Sequence, residues 1–248
     1  MMEEKENGHY KNVMKAMKLL KKYGILFGAS ICYTRDNVET VTSDEFLNML
    51  VDNGVRYSFY FHYMPVGNNA VSELMPTVEQ RKYMIKRIRE ICSDKSDIGL
   101  FPMDFQNDGE FVGGCIAAGR NYFHINSAGD AEPCVFIHYS DSNIRDKSIL
   151  EILQSPLFMA YYNEQPFNRN HLRPYPMLEN PEKLRKIVKD TGAKSTDLKS
   201  LEDVEHLCSK CDKYAACWAK EADKIWNSKK HNNKGKYQNY APHRRDNL

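Results

Sequence analysis

The chain has no cysteine before Cys32 and no long apolar run. The first absence excludes a three-cysteine loop near its start. The longest apolar stretch, Ile25 to Tyr33, is far too short to span a bilayer, so no membrane partner is expected. A dominant charge is missing too: Lys+Arg 35 against Asp+Glu 33 leaves +2. No strong field for nucleic acid follows from that balance. The opening Met1-Met2-Glu3-Glu4-Lys5-Glu6 is charged with no apolar stretch behind it, so no secretory signal is expected. Seven cysteines without a signal point to a reducing compartment, the cytoplasm, where metal binding outweighs disulfides. No internal repeat is visible. A length of 248 residues suffices for one large domain or two modest ones.

What is present is a grouping of cysteines. Eighteen residues lie between Cys115 and Cys134, and Cys208-x2-Cys211-x5-Cys217 follows later. Thiolates at such spacings converge on a soft metal or an iron–sulfur centre when a tight turn returns the second sulfur to the first. Zinc is the alternative for the same ligands. Cys32 and Cys92 fall in an expected strand and at a helix end, where core filling is the simpler role.

The first hundred residues alternate helix and strand. Val13, Met17 and Leu20 share one face of a helix closed by Gly24. Ile25 to Tyr33 reads as a strand buried on both faces. Thr42 with Glu45 forms a capping box for a helix carrying Phe46, Met49 and Leu50, ended by Asn53-Gly54. Val55 to Met64 is the next strand. Thr77 with Gln80 caps a helix carrying Met84, Ile88 and Ile91, and a short strand follows over 98–103. Helices between buried strands predict a parallel sheet. Three strands are too few to close a barrel.

The second half reads differently. Residues 121–126, a turn at 127–130, and 132–138 predict a β-hairpin with Cys134 on its second strand. Short helices are expected over 148–153 and 181–189, with a proline-rich loop between 165 and 181. Trp218, Ala222 and Ile225 mark a last helix after Cys217. Residues 228–248, basic and poor in aliphatics, predict a solvated tail.

Cys115, Gly129-x4-Cys134, a gap, and Cys208-x2-Cys211-x5-Cys217 resemble the SPASM extension of radical S-adenosylmethionine (radical SAM) enzymes. The stretch from Gly119-Arg120-Asn121-Tyr122 to Pro133-Cys134 follows that pattern almost residue for residue. The helix–strand half resembles the later part of the radical SAM barrel. There Tyr63-Met64-Pro65-Val66-Gly67 matches a turn beside the cofactor adenine, which implies Met64, Pro65 and Gly67 as cofactor contacts. The resemblance covers roughly residues 8–227. It implies an α/β fold: a half TIM-like parallel βα barrel over 1–105, then a SPASM-like cysteine-rich α+β extension over 106–227. It also implies Cys115, Cys134, Cys208, Cys211 and Cys217 as metal ligands of one or two auxiliary 4Fe–4S clusters, and a peptide or protein substrate.

The sequence departs from the family in three places. The C-x3-C-x2-C loop, whose cluster cleaves S-adenosylmethionine, has no counterpart in this chain. Glu221 stands where the pattern has its next cysteine, and Tyr175 where relatives often carry one. Two complete clusters need about eight thiolates. Three functions follow as alternatives. One is the C-terminal part of a radical SAM/SPASM protein, unable to generate radicals unless an N-terminal half supplies the S-adenosylmethionine site. The others are a non-catalytic iron–sulfur or zinc module that docks on a partner, and a truncated gene product. The remaining candidates have plainer readings: His62, His124, His138 and His171 as structural histidines, Asp104, Asp108 and Glu110 as a solvated acidic loop, Glu179 and Asn180 as a helix approach.

Overall fold

The computed structural model describes residues 2–232, with side chains over 8–228. Residues 233–248, most of the expected tail, lie outside the described residues. The described chain divides into two compact units. One is formed by residues up to Tyr63 with Glu73–Asn107, the other by Met64–Ser72 with the described residues from Asp108 onward.

In the first unit, α1 (Met2–Lys22) precedes β1 (Gly28–Tyr33), α2 (Asp44–Asp52), β2 (Tyr57–His62), α3 (Val78–Ile91) and β3 (Phe101–Asp104). The strands form a parallel sheet in the order β1-β2-β3, as the alternation predicts. Gly28 pairs with Tyr57, whose ring occupies the space a Cβ at residue 28 would need, 2.3 Å away.

One face of the sheet packs under helices. Ile31, Tyr33 and Tyr60 join Leu47 and Leu50 of α2 and Met84, Ile88 and Ile91 of α3 in one apolar cluster. The strands are not buried on both faces, contrary to the sequence reading: β1 and β2 alternate inward and outward. The outward face carries Cys32 beside Phe61 and Phe59 beside Met103. Cys32 is therefore exposed, and so is Cys92 at the end of α3; neither is core filler. Val13 of α1 is exposed as well, while Met17 packs against the cluster.

The cap of α2 is Ser43, whose Oγ accepts from the Phe46 N–H at 3.2 Å. Thr42 is instead buried and donates to the Val38 carbonyl at 2.7 Å. The Thr77–Gln80 capping box of α3 forms as expected. Asp104 departs from the solvated-loop reading: it is buried at the end of β3, accepting from Asn107 Nδ2 at 2.7 Å. Arg81, fully buried, reaches the same Asn107 through Nε at 2.7 Å.

The second unit continues with α4 (Gly109–Val112), β4 (His124–Ile125), β5 (Ala131–Glu132), β6 (Tyr139–Ser140), α5 (Ile149–Leu153), α6 (Pro156–Glu164), α7 (Pro176–Glu179), α8 (Pro181–Thr191), β7 (Lys194–Ser195) and α9 (Val204–Asn232). β4 and β5 form a short hairpin, and β6 pairs with β7. The hairpin ends before Cys134, which bridges to Ile137 in a tight turn instead of lying on the strand. α7 interrupts the loop expected over 165–181. α9 begins at Val204, not after Cys217, because no glycine or proline breaks 204–232 and Leu207, Cys208, Cys211, Ala215, Trp218 and Ala222 make a continuous inward stripe. It also runs into the start of the expected tail. Among the described residues no helix is long and apolar enough to cross a membrane.

Candidate metal centre

Two loops of the second unit carry the first thiol pair. Gly113 and Gly114 take φ of +73° and +103° just before Cys115, a backbone turn that side chains with a Cβ resist. Arg120 braces this loop, donating to the carbonyls of Cys115 at 2.8 Å and Val112 at 2.6 Å. The Ala118 N–H donates to the Pro133 carbonyl at 2.8 Å, which ties the Cys115 loop to the Cys134 loop. The hairpin turn is held by Asn126, whose Oδ1 accepts from the N–H groups of Ala128 and Asp130. Gly129, at φ +89°, lies where a Cβ would stand 2.8 Å from Asn143 Oδ1.

Cys115 and Cys134 are both buried, and Cys134 is near enough for its charge to add to the effect of burial in raising the Cys115 thiol. Burial pushes the Cys115 thiol up to about 12, and it raises Cys134 as well. The Tyr122 hydroxyl sits 2.7 Å from Cys134 Sγ.

The second pair comes from α9. Cys208 and Cys211, three residues apart, face inward and are fully buried, and burial pushes both thiols up to about 12. Helix α9 is anchored by Trp218, whose Nε1 donates to the Leu172 carbonyl at 2.8 Å. Arg185 of α8 holds its outer side through Asp212 and Glu205. Cys217 is exposed and does not join the pair.

Buried tyrosines and a carboxylate interact electrostatically with these thiols. Tyr161 of α6 is completely buried, and its hydroxyl has no hydrogen-bond partner among the described residues. Burial first, then the charges of Cys115, Cys134 and Cys208, pushes that hydroxyl far up. Tyr175 is raised by burial and by Cys115, and its N–H donates to Glu179 Oε2 at 2.7 Å. Glu179, buried, influences both Cys115 and Cys211. It is more than a helix approach.

Among the described residues, no three His, Cys, Asp or Glu side chains stand close enough to hold a single metal ion. The donor chemistry nonetheless fits a polynuclear iron–sulfur group, which spans a wider gap than one ion. Four thiols are buried, and those of Cys115, Cys134 and Cys208 act electrostatically on the buried Tyr161 hydroxyl, which has no partner among the described residues. All four thiols must lose protons to serve as ligands.

The other candidates lie elsewhere. Gly67, at φ +92°, gives its N–H to Glu202 Oε2 and its carbonyl to Lys210 Nζ, both at 2.8 Å. Pro65 is buried and Met64 half-buried. His138 and His124 face the buried Glu132 at 3.0 and 3.9 Å, and Thr196 donates to the same carboxylate at 2.6 Å. The Glu132 bond raises the His138 pKa. His171 is lowered by burial. Glu110 is buried, contrary to the solvated-loop reading, while Asp108 is half-buried.

The sequence reading missed Tyr122 and Tyr161. Tyr122 had a signal: continuing the ladder from His124↔Glu132 by two residues sets Tyr122 opposite Cys134. Tyr161 had none, since one aromatic on a short helix resembles any core residue.

Residues 115–177 match the family model SPASM, an iron-sulfur cluster-binding domain. That segment contains Cys115, Cys134 and Tyr175 but not the α9 cysteines. No curated protein matches the sequence. Among solved structures, one described as native anSMEcpe with bound AdoMet and Cp18Cys peptide is 13% identical, with a TM-score of 0.44 over 88% of this chain and 63% of that one. A second, native anSMEcpe with bound AdoMet, is 14% identical, with a TM-score of 0.42 over 88% of this chain and 61% of that one. The chain thus spans less than two thirds of the length of these structures. From Cys115 to Met177 the chain is similar to the SPASM iron–sulfur cluster-binding domain.

Proposed function

We propose that this chain is an iron–sulfur-binding part of a radical SAM/SPASM protein acting in peptide or protein modification. Residues 1–105 then represent part of the barrel and 106–227 the SPASM extension. Cys115, Cys134, Cys208 and Cys211 are the ligands of an auxiliary 4Fe–4S centre. Cys217, the fifth thiolate of the family pattern, faces away from this set and contributes only to a separate site. The observation that supports the reading is the burial of four thiols, three of them acting on the unpartnered Tyr161 hydroxyl, within and beside a SPASM match.

The sequence has no C-x3-C-x2-C loop, so the chain alone does not cleave S-adenosylmethionine. Met64, Pro65 and Gly67 contact that cofactor only where an N-terminal half supplies the rest of its site. A second reading, a non-catalytic module that docks on a partner chain, is favoured by the exposed aromatic face of the parallel sheet.

Anaerobic reconstitution tests the main reading. Iron, acid-labile sulfide and zinc are measured on the wild type and on Cys115→Ala/Cys134→Ala. Iron and sulfide in the wild type, lost in the variant, support the centre. Zinc without sulfide would convert it to a structural module. Production of 5′-deoxyadenosine by the chain alone, under dithionite, would refute its inactivity.

A further inference from the structure

We propose that Tyr122 tunes the iron–sulfur centre by donating a hydrogen bond to the Cys134 thiolate, which makes the centre easier to reduce. This rests on the reading that Cys134 is an iron ligand.

The geometry supplies the contact. Tyr122 Oη and Cys134 Sγ are 2.7 Å apart, and either atom can be the donor while the thiol keeps its proton. Ligation removes that choice. A thiolate bound to iron has no proton to give, so the hydroxyl must donate. The contact is built into the fold. Tyr122 precedes β4 and Cys134 follows β5, in the register set by His124↔Glu132. The backbone here is held as well: the Gly119 N–H donates to the Tyr122 carbonyl at 2.9 Å, and the Asn121 N–H donates to the Ile116 carbonyl at 3.0 Å. The backbone that carries Tyr122 is thereby held, with its hydroxyl next to the sulfur.

Hydrogen bonds to cluster sulfurs are among the levers that set reduction potential. Reduction adds one electron and hence negative charge, part of it on the thiolate sulfurs. A donor aimed at that sulfur stabilises the reduced form more than the oxidised one. No bond forms or breaks and no proton leaves Tyr122. The surroundings strengthen the effect, because Cys134 is buried and a donor there acts without water to compete.

The test uses the full chain, reconstituted anaerobically, as wild type and Tyr122→Phe. Iron and sulfide are measured first. The midpoint potential is then found by titration with dithionite, followed by electron paramagnetic resonance. Equal iron content and a reduction equilibrium about tenfold less favourable in Tyr122→Phe, about 59 mV lower for one electron, is the expected result. Equal iron with equal potentials would overturn the proposal. A wild type that holds neither iron nor sulfide would overturn the underlying reading, and this proposal with it. Should Tyr122→Phe lose iron, 3,5-difluorotyrosine at position 122 decides. It keeps the shape and donates more strongly, so the potential must rise; an unchanged or lowered potential overturns the proposal.

Discussion

Cys208 and Cys217 project from opposite sides of one helix. Nine residues separate them, which at 3.6 residues per turn leaves them about half a turn out of phase. Cys208 is buried and Cys217 exposed. A centre that used both would have to break α9 between them.

Cys217→Ala is therefore expected to retain iron and sulfide at the wild-type level after reconstitution. Cys208→Ala/Cys211→Ala is expected to lose most of both. Loss in Cys217→Ala equal to that of the double variant would mean that α9 unwinds around the metal.

His62 makes the first unit acid-sensitive. It is buried at the end of β2, its Nδ1 is 2.7 Å from the Tyr63 carbonyl, and its ring lies edge-on to Tyr33 at 5.6 Å. Burial, then the charge of Arg81, lowers its pKa to about 3. The unfolded chain takes up this proton near its ordinary value of about 6.5, and the fold resists it. Stability is thus complete above about pH 6.5 and falls below it, by about 1.4 kcal/mol per pH unit for this group. Denaturant melts of wild type and His62→Gln at pH 7.5, 6 and 5 isolate the effect, since other groups cancel in the difference. The wild type should lose about 2 kcal/mol more than the variant by pH 5. Parallel pH profiles would show that His62 is protonated in the fold.

Much of the first unit was legible because period and capping agree there. Thr77 with Gln80 caps α3, and the order of helix and strand gives the parallel sheet, both as expected, although the strands alternate inward and outward instead of being buried on both faces. The cap of α2 shifted by one residue because Thr42 finds a buried backbone partner, which frees Ser43 for the helix. The thiol pairs were legible as candidates through their spacing, but their geometry was not. A C-x2-C pair fits a turn and one helical face equally well, and only the apolar stripe through Trp218 decides for the helix. The tertiary neighbours Tyr161 and Glu179 have no sequence period that links them to a cysteine.

Tyr161→Phe separates the metal-free from the loaded protein. The buried hydroxyl has no partner among the described residues, so its removal relieves an unpaired polar group. The metal-free variant should melt above the wild type, by about 1 kcal/mol at the midpoint. With iron and sulfide bound, the same substitution removes a donor next to the thiols, and the gain should vanish. Equal stabilisation in both states would mean that the hydroxyl faces no bound group.

The exposed face of the parallel sheet carries the last expectation. Tyr57, Phe59 and Phe61 follow one another along it, with Phe59 and Phe61 stacked at 6.1 Å and Phe61 against Phe105 at 5.2 Å. Phe101 is 61% exposed and Phe59 37%. Parallel sheets are ordinarily covered on both faces, and a contiguous apolar patch on one side favours association. The purified chain should therefore self-associate with rising concentration in light scattering behind size exclusion. Phe59→Lys/Phe101→Lys should restore a monomer, because two charges on the patch oppose its burial. Co-expression with a radical SAM N-terminal half should also improve recovery of the wild type but not of this variant. A wild type that stays monomeric at high concentration, with a single cooperative melt, would show that the aromatic row is stable in water without a partner.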